Sequence, residues 1–527
     1  MAQKVLGLAL LTTAIAGCSS DGGDPASTPG AGAEATQTQK ERMKLQFWST
    51  TPEKVLPDGY ALKTIRDEFD VDIDILSRNN ETYVQTLQLS IASGEEPDWF
   101  SDLDFKDYDK LVDQEVLAEI PPELLEEHAP KYMQWLKKEL GDDPFRYTMR
   151  NGKNYSMPSL WTLGPRGNVM GIRQDWLDKT GIAKVPESLE ELEAAMLKFR
   201  NEDPDGNGKK DTYGMTGKTD AIEDFFSPVF GAYGVYPGIF TEKDGKIALG
   251  EIEPGAKDAL ATLNEWYREE LIDPEFVLNK NSNVDDKVIS EKVGVATNFW
   301  WKFLPSDAFF GGIYFDKLTE KNPNAKWATF SGPKGPNGDF GIVQSNPVLN
   351  SGLQFSKRLE QDRDKMIKYI QIFEATSFDT ALYERTKYGE ENKTYRRADG
   401  DIEWIPPYDQ EEERVKYGIS FFNAPGSFND YDLLAPYMTK SKHMTLRKEA
   451  ESVGKGKYNL LNPIQRPVFN EYKDRLDQFT KKNLVDFITG KRPIGEFDKY
   501  VEEWKQIGGD KVLAEAQQKY DEIFKKE

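Results

Sequence analysis

Three observations predict an α/β protein built as two lobes. Short apolar strands alternate with amphipathic helices along the chain. Some 485 of the 527 residues follow Met43, far more than one hydrophobic core serves. The single cysteine, Cys18, lies outside that body, which therefore holds together by packing without disulfides.

Residues 1–17 read as a signal peptide. Lys4 supplies one positive charge, and the apolar run from Val5 to Ala16 is shorter than the roughly 20 residues a bilayer-spanning helix needs. Cys18 closes that run in Ile15-Ala16-Gly17-Cys18, small residues that suit a lipoprotein signal peptidase. The thiol is expected to carry a diacylglycerol thioether; an ordinary secretory peptide with a chance cysteine is the alternative. Residues 18–42, rich in Gly, Ala, Ser, Thr, Pro and Gln, have little to bury and read as a flexible tether.

The folded part opens with two apolar runs, Lys44-Leu45-Gln46-Phe47-Trp48 and Val71 to Leu76, separated by Leu62, Ile65, Arg66 and Phe69 at helical spacing. That is a strand, helix, strand unit. An amphipathic stretch from Thr82 to Ala92 then leads into Pro97-Asp98-Trp99-Phe100, and together these predict a parallel α/β lobe. A second lobe starts where Gly171-Ile172-Arg173 runs into a short helix closed by Gly181. Ser188 then caps a helix carrying Leu189, Leu192, Ala195 and Met196. Helices close the chain at Arg363 to Ala375, Pro467 to Phe479, Phe497 to Ile507 and Asp510 to Phe524.

The charge balance, 68 Lys plus Arg against 90 Asp plus Glu, gives a net charge of -22 and argues against nucleic acid or an anionic membrane surface as partner. Catalytic signatures are sparse. The two histidines, His128 and His443, form neither a metal-ligand spacing nor a triad, and no P-loop or Gly-x-Gly-x-x-Gly follows a strand. Carboxylates are too many for any glycosidase-like pair to stand out, so a secreted glycan-degrading enzyme stays open as an alternative.

Asp203-Pro204-Asp205-Gly206-Asn207-Gly208-Lys209-Lys210-Asp211 follows the order of an EF-hand calcium loop. Side-chain oxygens stand at its first, third, fifth and ninth positions, glycine at the sixth, and Lys209 at the seventh can offer its carbonyl. Gly214 replaces the bidentate glutamate of the twelfth position, leaving Glu223 and Asp224 as candidate outside donors. Calcium here is expected to staple the second lobe rather than do chemistry; a plain solvent-exposed turn is the alternative.

Aromatic side chains are abundant, and flat rings stack on the C–H faces of sugars while neighbouring Asp, Asn and Arg bind hydroxyls. Asn298-Phe299-Trp300-Trp301, after the strand-like Val293 to Ala296, is the strongest local candidate, because two adjacent tryptophans cannot both face one core. Trp161 and Trp99 follow, each read first as core and only second as a ligand platform, and Arg166 and Arg173 are the arginines that would suit an anionic sugar.

The lipobox, Tyr155-Ser156-Met157-Pro158, the run from Gly171 to Lys179, the Asp203 to Asp211 loop and the closing Phe487-Ile488-Thr489-Gly490 with Trp504 together resemble family 1 extracellular solute-binding lipoproteins of ABC importers. The similarity is to the large branch that includes alginate-oligosaccharide binders, in which a matching loop holds calcium. It implies calcium ligands at Asp203, Asp205, Asn207, Lys209 through its carbonyl, and Asp211; relatives can add a glutamate where this chain has Thr212. The implied fold is the two-lobed type II periplasmic-binding-protein-like α/β fold, with a ligand cleft between the lobes and extra C-terminal helices. Its first lobe is expected to comprise 43–158 plus 290–335 and its second 159–289 plus 336–527. Crossings are expected near 157–162, 289–293 and 332–342. The implied function is capture of an oligosaccharide against Trp300, Trp301, Trp161, Trp99, Asn298 and Arg166, and delivery to ABC permease subunits. The protein is expected to act as a monomer held at the extracytoplasmic face of the cell membrane by its lipid alone. A ligand-sensing or adhesion lipoprotein is a further alternative.

Overall fold

A computed structural model describes residues 42–420 and 430–525. The signal peptide, Cys18 and all but the last residue of the tether lie outside the described residues. Strand Met43–Ser49 pairs in parallel with strand Val71–Ser77, Leu45 opposite Ile73 and Phe47 opposite Ile75. Helix Tyr60–Phe69 connects them and turns Ala61, Leu62 and Ile65 onto the sheet. Its end is made by Asp70 in the left-handed region, φ 52°, a conformation that Asp tolerates better than most residues. The predicted strand, helix, strand unit therefore forms.

Strand Trp99–Ser101 pairs antiparallel with Leu353–Phe355, which brings a distant part of the chain into the first lobe. Its core runs from Leu45 through Met157 and Leu160 and resumes at Val348, continuing through Leu359, Tyr369 and Phe373. Helix Arg363–Phe378 supplies the later residues of that core. Farther along, the Tyr417 ring stacks on Tyr60 with centroids 5.3 Å apart, and Arg385 pairs with Glu68 at 2.6 Å. The stretch from Val348 to Tyr417 thus belongs with the first lobe, not the second as expected.

The second lobe is built on a four-stranded sheet in the order Trp327–Phe330, Asn168–Arg173, Val293–Phe299, Tyr213–Met215. This corrects the placement of 290–335, which pairs here along Val295 to Phe299 and Trp327 to Phe330 rather than in the first lobe. The reason is close packing. A Cβ at Gly294 would lie 2.3 Å from Phe199 and 2.9 Å from Trp176, so the glycine lets helix Leu189–Asn201 press onto the centre of this sheet. That helix starts as expected, with the Ser188 hydroxyl accepting from Glu191 N–H at 3.3 Å.

Helices Pro254–Arg268, Pro467–Ile488 and Asp510–Phe524 complete the second lobe around Leu260, Trp266, Leu484 and Trp504. The chain leaves the first core after Leu160, joins a cluster formed with Val169, Val293, Trp300 and Tyr314 at Leu163, and returns between Ile342 and Val348. The crossing expected near 157–162 is there. The one expected near 289–293 is a connection within the second lobe, since helix Asn281–Ile289 leads straight into the strand of the same sheet. The one expected near 332–342 lies a few residues later.

Candidate functional site

A cavity of about 440 Å³ opens beside the crossing at 342–349. Strand Val293–Phe299 ends there, presenting Thr297, Asn298 and Phe299. Helix Asn281–Ile289 adds Asn281 and Asp285, and the crossing adds Gln344 and Asn346. Most of the lining comes from the second lobe and the crossing, and Leu349 adds the start of the first-lobe stretch that begins at Val348.

The lining is an amide surface. Gln344 Oε1 accepts from Asn168 N–H at 2.9 Å, and Gln344 Nε2 donates back to the Asn168 carbonyl at 2.8 Å. Asn346 is held by donating to the Asn459 carbonyl and accepting from Val348 N–H, both at 2.8 Å. These bonds fix the amides in place. Asp285 Oδ1 accepts from the Tyr314 hydroxyl at 2.6 Å and faces Lys302 Nζ at 3.3 Å, while Asn298 Nδ2 donates to that hydroxyl at 2.8 Å. Burial, with Asp285 beside it, pushes the Tyr314 phenol far up, so it stays a donor. The wall also holds Phe226 at φ 44°, ψ 43°, a left-handed conformation costly for a bulky residue.

Beside Phe226, Phe299 is the second aromatic of the lining. Its ring stacks on Trp301, and Trp161 meets it edge-on with centroids 5.5 Å apart. Of the sequence candidates, Asn298 is the one that lines the cavity. Trp300 and Trp301 sit in a short 3-10 turn, Trp300–Phe303, that folds both indoles inward. Trp300 is fully buried, packed 5.0 Å from Phe309, and Trp301 keeps 9 % of its surface. Two adjacent tryptophans thus do face one interior, because the tight turn breaks strand alternation. Trp161 is half-buried against them, and Trp99 lies in the first core with Nε1 donating to the Gln46 carbonyl at 2.7 Å. Arg166 pairs with Glu451 at 2.6 Å, away from the lining. Phe299 entered the sequence reading only as part of the run ending in Trp301, and Asp285 and the amides at 168, 344, 346 and 459 were not singled out; they are spread over nearly 300 positions with no local motif.

Glu223 and Asp224, the suggested outside donors to the calcium loop, line this cavity instead. Within the loop, Asp203 accepts from Asn207 N–H at 3.1 Å and Gly208 N–H at 2.9 Å. Those bonds, the one from Gly208 first, hold the Asp203 carboxyl below its ordinary range, whereas burial raises that of Asp205. Asn207 Nδ2 donates to Asp205 Oδ2 at 2.7 Å and Asp211 Oδ1 at 3.0 Å, and Lys292 pairs with Asp211. Among the described residues no three acidic side chains converge as a finished cage. The donor set is nonetheless all hard oxygen, and a positively polarised amide already sits between the carboxylates a cation would share, which fits calcium.

Residues 54–349 match the family described as bacterial extracellular solute-binding protein. The polygalacturonan/rhamnogalacturonan-binding protein YtcQ of Bacillus subtilis (strain 168) is 24% identical over 392 residues, 71% of each chain. Lipoprotein LipO of the same strain is 24% identical over 532 residues, 99% of this chain and 98% of its own. Among solved structures, an EF-hand mutant of the Streptococcus pneumoniae ABC-transporter substrate-binding protein FusA, in complex with fructo-nystose, superposes with a TM-score of 0.58. It is 16% identical, covering 92% of this chain and 99% of that one, a likeness of two-lobed fold.

Proposed function

The chain belongs to the bacterial extracellular solute-binding proteins, which are binders and not enzymes, and from that membership we propose that it captures an oligosaccharide in the amide-lined cavity and hands it to the permease of an ABC importer. The observation that carries this reading is the pairing of Phe299 with fixed amides. An aromatic face stacks on the C–H side of a sugar ring, while Asn298, Gln344, Asn346 and Asp285 present donors and acceptors to its hydroxyls. Capture is followed by closure of the first lobe over the site at the chain crossings.

Two supports accompany capture in this proposal. Calcium held by Asp203, Asp205, Asn207, the Lys209 carbonyl and Asp211 would staple the loop that leads into strand Tyr213–Met215, and the EF-hand named for FusA supports that reading. A lipid on Cys18 would tether a monomer to the outer face of the membrane, a reading supported by the likeness to LipO.

Isothermal titration against a panel of oligosaccharides tests capture. At least one is expected to bind tightly, and Asn298→Ala to weaken it. A panel that yields no binding, or conversion of the sugars to products, would overturn the proposal.

A further inference from the structure

Resting on the oligosaccharide reading, we infer that the Lys218–Asp224 pair makes this cavity selective for uncharged glycans and sets it against uronic acids. Lys218 is the one cationic side chain among the described residues lining the cavity, whereas Glu223, Asp224 and Asp285 are its acids. Its ammonium lies 2.5 Å from Asp224 Oδ2, and the same oxygen accepts from Ala221 N–H at 3.2 Å. The positive charge is therefore cancelled within the wall and held there.

Among the described residues no other cation lines the cavity to replace it. Lys302 faces Asp285 at 3.3 Å without being part of the lining. Arg173 is fully buried between Asp175 and Glu291, at 2.7 and 2.8 Å. Arg166 is held by Glu451.

A sugar carboxylate entering this space would lose part of its hydration and meet an excess of acid, Glu223 beyond the Lys218–Asp224 and Lys302–Asp285 pairs, with amide N–H groups but no uncompensated cation. Like charges brought together out of bulk water repel strongly. A neutral sugar meets the same groups favourably: its hydroxyls accept from the amides and donate to Asp285 and Asp224, whose remaining lone pairs stay open. One substitution should reverse the preference. Asp224→Asn keeps the shape of the wall and leaves Lys218 as a free partner for a carboxylate, while Lys218→Gln leaves Asp224 uncompensated and should sharpen the discrimination.

The test is calorimetry on the full chain with neutral trisaccharides of glucose, galactose, mannose and fructose, and with trimers of galacturonate, mannuronate and guluronate, at low and high salt. Wild type is expected to bind its best neutral trisaccharide about tenfold or more tightly than any uronate, about 1.4 kcal/mol, with the gap shrinking at high salt. Asp224→Asn should narrow or invert that ratio and Lys218→Gln should widen it. A uronate that outbinds every neutral sugar on wild type overturns the inference and leaves oligosaccharide capture standing. So does a ratio unmoved in Asp224→Asn that melts as a folded protein; should that variant not fold, an unmoved ratio in Lys218→Gln decides in the same way. If no sugar of either kind binds, the capture reading itself falls, and this inference with it.

Discussion

The Phe299 ring lies flat on the Trp301 ring, with centroids 4.4 Å apart and planes 7° from parallel. One face of Phe299 is thus backed by a buried indole while the residue lines the cavity, so its orientation is set before any ligand arrives.

This separates two substitutions that a sequence reading would group. Trp301→Ala removes a packed side chain and should cost about 3–5 kcal/mol of stability, with loss of binding as a secondary effect. Phe299→Ala should weaken the best oligosaccharide about tenfold while costing less stability, because Phe299 is only half-buried. Chemical denaturation paired with calorimetry checks both. Equal stability losses with unequal binding losses in the opposite order would contradict the arrangement.

Calcium should stabilise the folded protein by an amount that follows RT ln(1 + [L]/Kd), about 2.7 kcal/mol at a hundredfold excess over Kd. Asp205→Asn should remove that gain, since Asp205 is one of the carboxylates drawn together by the Asn207 amide. Thermal melts in calcium and in chelator measure it, on protein shown by metal analysis to carry no ion. Coincident melts would exclude an exchangeable stabilising site.

Glu251 lies beneath the cavity, 2 % exposed, accepting from the Gly238 N–H at 2.8 Å. Burial lifts its carboxyl to about 7, and the nearby Asp477 and Glu223 push the same way. The folded value is above the unfolded one. The group therefore costs nothing below about pH 4.5, and its stabilising protonation is lost as pH rises through 7, a change of up to about 3 kcal/mol. Glu251→Gln should flatten stability between pH 4.5 and 7 and raise the Tm at pH 8 while leaving it unchanged at pH 4. An undiminished pH slope in the variant would show that another group is responsible.

Cys18→Ala should release the protein from the membrane fraction, as read by fractionation and immunoblotting. Retention equal to wild type would mean that the lipid is not the anchor.

Local patterns carried most of the elements. The alternation around Leu45 and Ile73, the spacing of Leu62 and Ile65, and the Ser188 cap each act over a few residues, so they are legible from sequence. Lobe membership was not, because it depends on which edge a strand joins. Val293 to Ala296 is apolar enough for either sheet, and only the fit of Gly294 under Phe199 decides. Of the run Asn298 to Trp301, Asn298 and Phe299 line the cavity and the two tryptophans do not, since the inward turn at Trp300 and Trp301 reverses which aromatic reaches it. Its amides come together by tertiary folding, with Asn168 bonded to Gln344 and Asn346 to Asn459.

Because most of the cavity lining comes from the second lobe and the crossing, an oligosaccharide captured as proposed would travel with that lobe on parting of the two halves. On that reading, opening alone would not eject the cargo; it would expose a still-occupied cradle. Handover in the proposed cycle would then be an exchange of hydrogen bonds with the permease mouth, and the residence time of the sugar on the opened cradle would set the ceiling on how fast each shuttle is emptied and reused.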